Sequence, residues 1–527
     1  MTDELTKVIQ DSARGGFFLF SGTALATVIM AIASILIGRL LESDLYGQYT
    51  LALVVPQILF LFTDLGISNG IIRFTASLRT QGEAARITAM IRYGLVLRAL
   101  AGIAISVIGY IFADPLASFL IQRPDLAFPV QIASISILFQ AILTTATSAF
   151  VGLDRSEYNA LSTNIQAISK TTVSIALVLL GFSVTGAIIG HTVSFVVAAV
   201  ASMIMLLALL RQRKGKEDGQ VNLRDDLRTL IHYGAPLYGS LLLIGFIPLY
   251  KYFILAQFCS DPDIGNYKAA ANFVTLMTVL SIPITTILLP AFSRLDSSAK
   301  QGIRTFFKLA NKYTAIIVVP ITFLMILLSN EIIQVVYGHT YQSAPLFLSI
   351  FCLQYFLAGL GYLTLASFFN GLGKTRITLA MSAIACLAVI LLAPVFTQKY
   401  GVPGVILSFL LASAASTGYG SYVARKKFQV EFGTSSMIKV YLVSAACSIP
   451  TLLLLQFTTL PLVLDIAIGG CLYLFCYITM MPLTKIMTTT ELQNTMQITN
   501  RIPGLGFLAG LMLRYQRKIL NARADTK

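Results

Sequence analysis

Charge is scarce in this chain. Only 12% of its 527 residues are Asp, Glu, Lys or Arg, while 56% are hydrophobic. A water-soluble domain carries about twice that charged fraction, so a soluble globular protein is excluded. Histidine is almost missing: His191, His232 and His339 stand far apart in sequence and suggest no shared site. The six cysteines form no framework. Cys352, Cys386, Cys447, Cys471 and Cys476 fall inside apolar runs, Cys259 lies at the end of one, and no metal-ligand spacing occurs. They read as small apolar packing residues. There is no Gly-rich phosphate loop, no Ser/His/Asp arrangement and no folded loop long enough to carry catalytic acids. An enzyme is therefore not expected: no catalytic residue, cofactor or metal is assigned. The start, "MTDELTKVIQDSARG", is polar and mixed in charge, and the apolar run after it exceeds signal-peptide length. A cleavable signal is not expected.

What the chain has instead is apolar runs of 18 or more residues from end to end, each long enough to cross a bilayer as a helix. The reading is an all-α polytopic membrane protein with fourteen transmembrane helices. Charge sets its orientation. With the N-terminus inside, 31 of the 38 Lys and Arg fall on the cytoplasmic side. The remaining seven are Arg39, Arg98, Arg123, Lys170, Lys251, Lys268 and Lys399. Such a bias predicts both termini in the cytoplasm of a cell-membrane protein. It also explains the net charge of +15 without nucleic acid, because short basic loops face the anionic inner leaflet. The tail segment "GLGFLAGLMLRYQRKIL" (504–520) is too short and too basic to span and suits an interfacial helix.

The chain repeats itself. "ESDLYGQY" (42–49) parallels "SDPDIGNY" (260–267) at an offset of 218, matching Gly47 to Gly265 and Tyr49 to Tyr267. "SAFVGLDR" (148–155) parallels "SFFNGLGK" (367–374) at 219, and "VTGAIIG" (184–190) parallels "VPGVILS" (402–408) at 218. Three matches in order at a nearly constant offset indicate duplication. Six crossings per copy, an even number, make the repeats parallel. The expected organisation is a cytoplasmic segment 1–15, a first six-helix lobe 16–210 and a cytoplasmic inter-lobe loop 211–231. A second lobe 232–424, an extra helix pair 425–482 and a basic cytoplasmic tail 483–527 follow. Parallel-repeat transporters place substrate paths in a central cavity between such lobes.

Ionisable groups inside a span are costly and mark a cavity or a partner. Arg98 and Lys170 lie roughly 15–20 Å deep, and Lys251, in "GFIPLYKYFIL" (245–255), roughly 10 Å below the outer end. Arg39 and Lys268 sit near outer ends, where they either snorkel or face a cavity. Against these cations stand Asp64 in the second span and Asp465 in the fourteenth. Asp64 and Arg98 fall at similar depth in neighbouring spans and read as an ion pair. Asn159, Ser162, Gln166 and Lys170 recur at helical spacing as a polar stripe that either lines water or joins helices. Lys251 has no acidic neighbour in sequence, and Pro248 opens the helix beside it. An excess of buried cations suits an anionic substrate. A cation-coupled drug exporter would want buried acids, which are scarce.

"GRLLESDLYGQYTLALVVPQILFLFTDLGISNGIIRF" (38–74) resembles the opening of the polysaccharide-transporter (O-antigen flippase) family within the multidrug/oligosaccharidyl-lipid/polysaccharide exporter superfamily. "NYKAAANFVTLMTVLSIPITTILLPAFSRL" (266–295) and "YGHTYQSAPLFLSI" (337–350) resemble matching parts of that family's second lobe. The resemblance covers about residues 10–425. It implies a monomeric flippase of polyprenyl-(pyro)phosphate-linked oligosaccharides, moving them from the cytoplasmic to the outer face by alternating access. Its implied partners are the lipid-linked substrate, membrane lipids and the glycosyltransferases or polymerase of the same pathway. It also implies that cavity cations hold the pyrophosphate, which here maps to Lys251 and Arg39, then Lys268, with Lys170 as a further candidate. The extra helix pair resembles that of flippases for lipid-linked peptidoglycan precursors, where it offers a groove for the polyprenyl tail. Such a flippase and a multidrug exporter are the alternatives.

Overall fold

A segment in hydrocarbon must satisfy its own backbone hydrogen bonds, and a helix does so without a partner strand. In the computed structural model every regular element among the described residues is helical. Those residues are 2–212, 238, 242, 245–293, 300–457, 460–487, 491, 492, 513 and 515–517. The expected inter-lobe loop and the expected interfacial helix lie almost wholly outside them.

The chain forms two compact units, Met1–Lys268 and Ala269–Lys527. The first holds α1 (Thr2–Ala52), α2 (Val54–Leu61), α3 (Ile67–Gln81), α4 (Ala84–Ile111), α5 (Ala113–Leu120) and α6 (Ala127–Gly152). It continues with α7 (Ser156–Leu177), α8 (Ser183–Gln212), α9 (245–258) and the first turns of α10 (Asp261–Ser293). The second holds the rest of α10, then α11 (Lys300–Leu327), α12 (Ser329–Tyr337), α13 (Ala344–Cys352) and α14 (Leu365–Gly371). After these come α15 (Thr375–Tyr400), α16 (Val402–Phe428), α17 (Thr434–Phe457) and α18 (Leu462–Leu483).

Among the described residues nine helices are long and apolar enough to cross a membrane, or ten if the pair Ala344–Leu360 and Leu365–Gly371, bent by 44°, is one span. Two of the nine are too long for one crossing. Ser21–Leu61 and Ser156–Arg211 have 41 and 56 residues, about 60 and 85 Å of helix against a hydrocarbon core of about 30 Å. Each is broken where it has to turn: the first at Glu42 (φ 60, ψ 179), the second at Gly181 (φ 91) and Ser183 (φ 48).

The duplication is visible in the backbone. Between α6 and α7, Leu153, Asp154 and Arg155 donate their N–H groups to Ala149, Val151 and Phe150 at 2.8, 3.0 and 2.8 Å. Between α14 and α15, Leu372, Gly373 and Lys374 donate to Phe368, Asn370 and Phe369 at 3.1, 3.0 and 2.7 Å. Donors and acceptors all correspond at the offset of 219. Asp154 and Gly373 share the left-handed conformation, with φ of 59 and 69. At the offset of 218, Ser183 (φ 48, ψ −134) matches Gly401 (φ 62, ψ −140).

The first unit extends further than the expected first lobe, because it takes in α9 and the start of α10. Side chains explain why. Arg123, an outer-loop cation that the charge count left over, pairs with Asp261 at 2.6 Å and donates to the Cys259 carbonyl at 3.0 Å. Gln257 donates to the Leu120 carbonyl at 3.2 Å. The two repeat-matched glycines also meet here. A Cβ on Gly47 would stand 1.9 Å from the Asp261 carbonyl oxygen, and one on Gly265 would stand 1.8 Å from that of Ser43. Ser43 and Asp261 are themselves related by the offset of 218, so the contact is reciprocal.

In the second unit α17 and α18 pack on α11 through Tyr473, Tyr477 and Val440, and the Tyr477 hydroxyl donates to the Ile316 carbonyl at 3.0 Å. The helix pair beyond the duplicated region is thus part of that unit's core. A second cluster packs Phe292, Phe307, Phe368 and Phe432 edge to face, with ring centroids 4.9–5.2 Å apart along the chain of contacts.

Candidate functional site

The turn after α2 joins α4 and α6 around Arg98, whose side chain is wholly buried. Its Nε donates to Thr145 Oγ1 at 3.3 Å, Nη1 to Thr63 Oγ1 at 3.0 Å, and Nη2 to Thr144 Oγ1. Each threonine spends its own proton on a carbonyl of its local chain, Phe60, Ala141 and Gln140, which leaves the hydroxyl oxygen free to accept. Asp64 Oδ1 lies 3.8 Å from Nη1 and accepts the Ser68 N–H at 3.1 Å. The Phe60 ring sits 5.7 Å from the guanidinium carbon. The structure therefore brings Arg98 and Asp64 together, and adds three hydroxyl acceptors that the sequence did not reveal. With its donors turned inward, Arg98 is built as a brace. Arg98→Met should lower thermal stability by about 2 kcal/mol, since hydrogen bonds to a charged group are lost. Asp64→Asn should cost less, because Asp64 keeps 27% of its side-chain surface open. Melting curves of the purified variants check the order, and an Arg98→Met curve matching wild type would remove the brace.

A second group of cations is assembled at the start of α10 and along α9. Lys251 is half-buried, its Nζ 5.2 Å from the Tyr252 ring centroid and 5.7 Å from that of Tyr267. The two rings meet edge to face at 5.8 Å. Lys268 hydrogen-bonds with the Tyr252 hydroxyl and lies within electrostatic reach of Lys251, Tyr46 and Tyr49. Tyr252 thus offers its face to one lysine and its oxygen to the other. Tyr46 and Tyr49 stack at 6.1 Å, and the Tyr46 hydroxyl meets Ser34 Oγ at 2.7 Å. The Tyr49 hydroxyl is buried and unpartnered among the described residues.

Lys170 extends the group. It lies within electrostatic reach of Lys268 and of His191. His191 is buried, edge-on to Phe195 at 5.0 Å, with its Nδ1 unpartnered among the described residues. Two other residues of the α7 stripe join helices, Asn159 donating to the Thr147 carbonyl at 3.3 Å and Gln166 to Ser194 Oγ at 3.2 Å, while Ser162 donates to the Tyr158 carbonyl of its own helix. Arg39 is exposed on α1, three residues before the break.

Lys251 and Lys170 are therefore each within electrostatic reach of Lys268 in the first unit, and none of the three makes an ion pair with a described carboxylate. Lys251 is held by the faces of two phenol rings and Lys268 by a tyrosine hydroxyl, a set of donors suited to an anion. Sequence reasoning missed the tyrosines and His191. Tyr49 and Tyr267 did carry a signal, since they recur at the repeat offset, but their common chemistry appears only once α1 and α10 cross.

The sequence profile of the polysaccharide biosynthesis protein family matches residues 12–296. The lipopolysaccharide biosynthesis protein WzxC of Escherichia coli (strain K12) is 22% identical over 417 residues, 77% of this chain and 80% of the relative. Among solved structures, the lipid II flippase MurJ in an inward closed conformation superposes with a TM-score of 0.69 at 16% identity, covering 88% of this chain and 99% of the other. An inward-facing multidrug resistance MATE family transporter of the MOP superfamily gives 0.59 at 16% identity, covering 76% and 94%. These structures share the fold. With its family profile matched over more than half the length, the chain belongs to the polysaccharide biosynthesis protein family.

Proposed function

We propose that this protein flips a polyprenyl-(pyro)phosphate-linked oligosaccharide from the cytoplasmic to the outer face of the cell membrane. The observation that carries the reading is the lysine–tyrosine group. A diphosphate spreads its charge over several oxygens and is matched by several separate donors. Lys251, Lys268 and the tyrosine hydroxyls supply such donors, and neither lysine is taken by an ion pair with a described carboxylate. Hydrated sugars do not cross hydrocarbon unaided, so transport needs alternating access. The two parallel repeats, twelve of fourteen spans, are the machinery for it, with both termini in the cytoplasm. A cation-coupled drug exporter is disfavoured by the same site, since a cationic drug would meet ammonium groups. A flippase for a lipid-linked peptidoglycan precursor would use the same phosphate chemistry and differs in the glycan.

The test uses the purified chain in liposomes. One set carries a fluorescent polyprenyl-diphosphate-linked oligosaccharide, a second carries lipid II, and a third is challenged with ethidium. Translocation of the oligosaccharide lipid above empty liposomes is expected, with no ethidium movement. Ethidium transport without lipid translocation would overturn the reading, and preference for lipid II would move it to the precursor flippase.

A further inference from the structure

The second unit carries a cationic cleft that the flippase reading does not use. It has a volume of about 300 Å³ and lies where the α14–α15 turn meets the start of α11 and the end of α16. Three cations line it: Arg304 from α11, Lys374 from the turn and Lys427 from α16. Ile303, Leu372 and Phe428 form its apolar side. Arg304 is fixed by its own bonds, Nε to the Phe428 carbonyl at 3.4 Å and Nη2 to Gln429 Oε1. None of the three cations makes an ion pair with a described carboxylate. Glu431, further along the connector, is taken by Lys308 at 2.8 Å. That ammonium holds its carboxyl below the ordinary range, and Arg304 acts on it only at longer distance.

The duplication shows that this charge is particular to the second copy. In the first copy the same turn is neutralised: Asp154 pairs with Arg79 at 3.2 Å and Glu157 with Arg155 at 3.3 Å. The offset of 219 places Gly373 where Asp154 stands, Lys374 where Arg155 stands and Arg376 where Glu157 stands. The two turns share their hydrogen bonds and their positive φ, so fold requirements do not explain the exchange. One copy has lost both acids and gained a base.

The cleft sits at the level where α15 begins and α16 ends, both candidate spans. One side is therefore apolar and the other cationic, as at a membrane–water boundary. The charge bias puts this end at the inner leaflet. Basic pockets between transmembrane helices at that level hold anionic headgroups. We propose that the cleft binds the phosphodiester headgroup of an anionic phospholipid of the inner leaflet, with Arg304, Lys374 and Lys427 on the phosphate and Ile303, Leu372 and Phe428 against the glycerol and first methylenes. The proposal stands whether or not the lysine–tyrosine group carries an oligosaccharide lipid.

The test takes the full chain in neutral detergent and titrates phosphatidylglycerol, reading bound lipid by native mass spectrometry. Phosphatidylcholine is the comparison lipid and soluble glycerol phosphate the competitor. The informative variant restores the acids of the first copy, Gly373→Asp with Arg376→Glu. Asp154 shows that aspartate accepts that backbone. Lys427→Gln, at an exposed position, is a second variant that leaves the core untouched. Saturable binding of phosphatidylglycerol over phosphatidylcholine is expected, weakened about tenfold or more in the double variant and less in Lys427→Gln. Equal affinity in all three proteins would overturn the site. Displacement by glycerol phosphate at concentrations similar to the lipid would make it a soluble-anion site and overturn the lipid assignment.

Discussion

Lys251→Ala is expected to lose most transport while folded protein is recovered at near wild-type yield. The two outcomes separate because the ammonium has one strong partner to gain and only weak ones to lose. In the resting chain it rests on the faces of Tyr252 and Tyr267 at 5.2 and 5.7 Å, contacts worth about 0.5–1 kcal/mol each at partly open sites. No described carboxylate depends on it, so its removal leaves no unpaired acid. With a diphosphate bound, its loss strands an anionic oxygen in a poorly solvated site. Losing one partner of such a charged pair costs about 2 kcal/mol or more, roughly thirty-fold in transport. Lys251→Arg should retain part of the rate, because the charge stays while the donor geometry changes. Flux of the fluorescent oligosaccharide lipid into liposomes, with melting temperature as the fold control, decides it. A wild-type rate from Lys251→Ala would reduce Lys251 to a snorkelling residue.

Much of this was legible in the sequence, and the remainder was hidden for identifiable reasons. Helical spans are local, so long apolar runs announced them. The duplication left residues at constant offset, and the turns at Asp154 and Gly373 show that their backbones agree bond for bond. Arg98 and Asp64 were readable as a pair because adjacent spans share depth. Three features were not readable. The threonine acceptors around Arg98 come from a turn and a separate helix. The tyrosine set comes from α1 and from the adjacent α9 and α10, which lie more than 190 residues beyond α1 in sequence. The end of the first unit at Lys268 instead of near residue 210 follows from contacts of α9 and α10. Hydropathy carries no information about these, since tyrosine and threonine look alike on either face of a span.

The largest structural effect is expected at the crossing of the two repeat glycines. An alanine at Gly47 would place its Cβ 1.9 Å from the Asp261 oxygen and 2.7 Å from its carbonyl carbon. An alanine at Gly265 would place it 1.8 Å from the Ser43 oxygen. Both obstacles are backbone, so no rotamer change relieves them, and α1 and α10 must separate by roughly 1 Å or more to restore ordinary contact. That separation would loosen the 2.6 Å Arg123–Asp261 pair and the tyrosines beside Lys268. Overpacking a core typically costs about 1–3 kcal/mol, and a helix-on-helix backbone clash belongs at or above the top of that range. Gly47→Ala and Gly265→Ala should therefore fail alike, with little folded protein recovered by size exclusion. The double variant should be hardly worse than either single one, because one displacement accommodates both methyl groups. Gly302→Ala is the control. It lies in α11 with nothing within 4 Å of an added Cβ, so it should be neutral or stabilising by up to about 1 kcal/mol. Gly47→Ala and Gly302→Ala proteins with equal yield and melting temperature would mean that α1 and α10 do not meet at these glycines, and the reciprocal crossing would have to be abandoned.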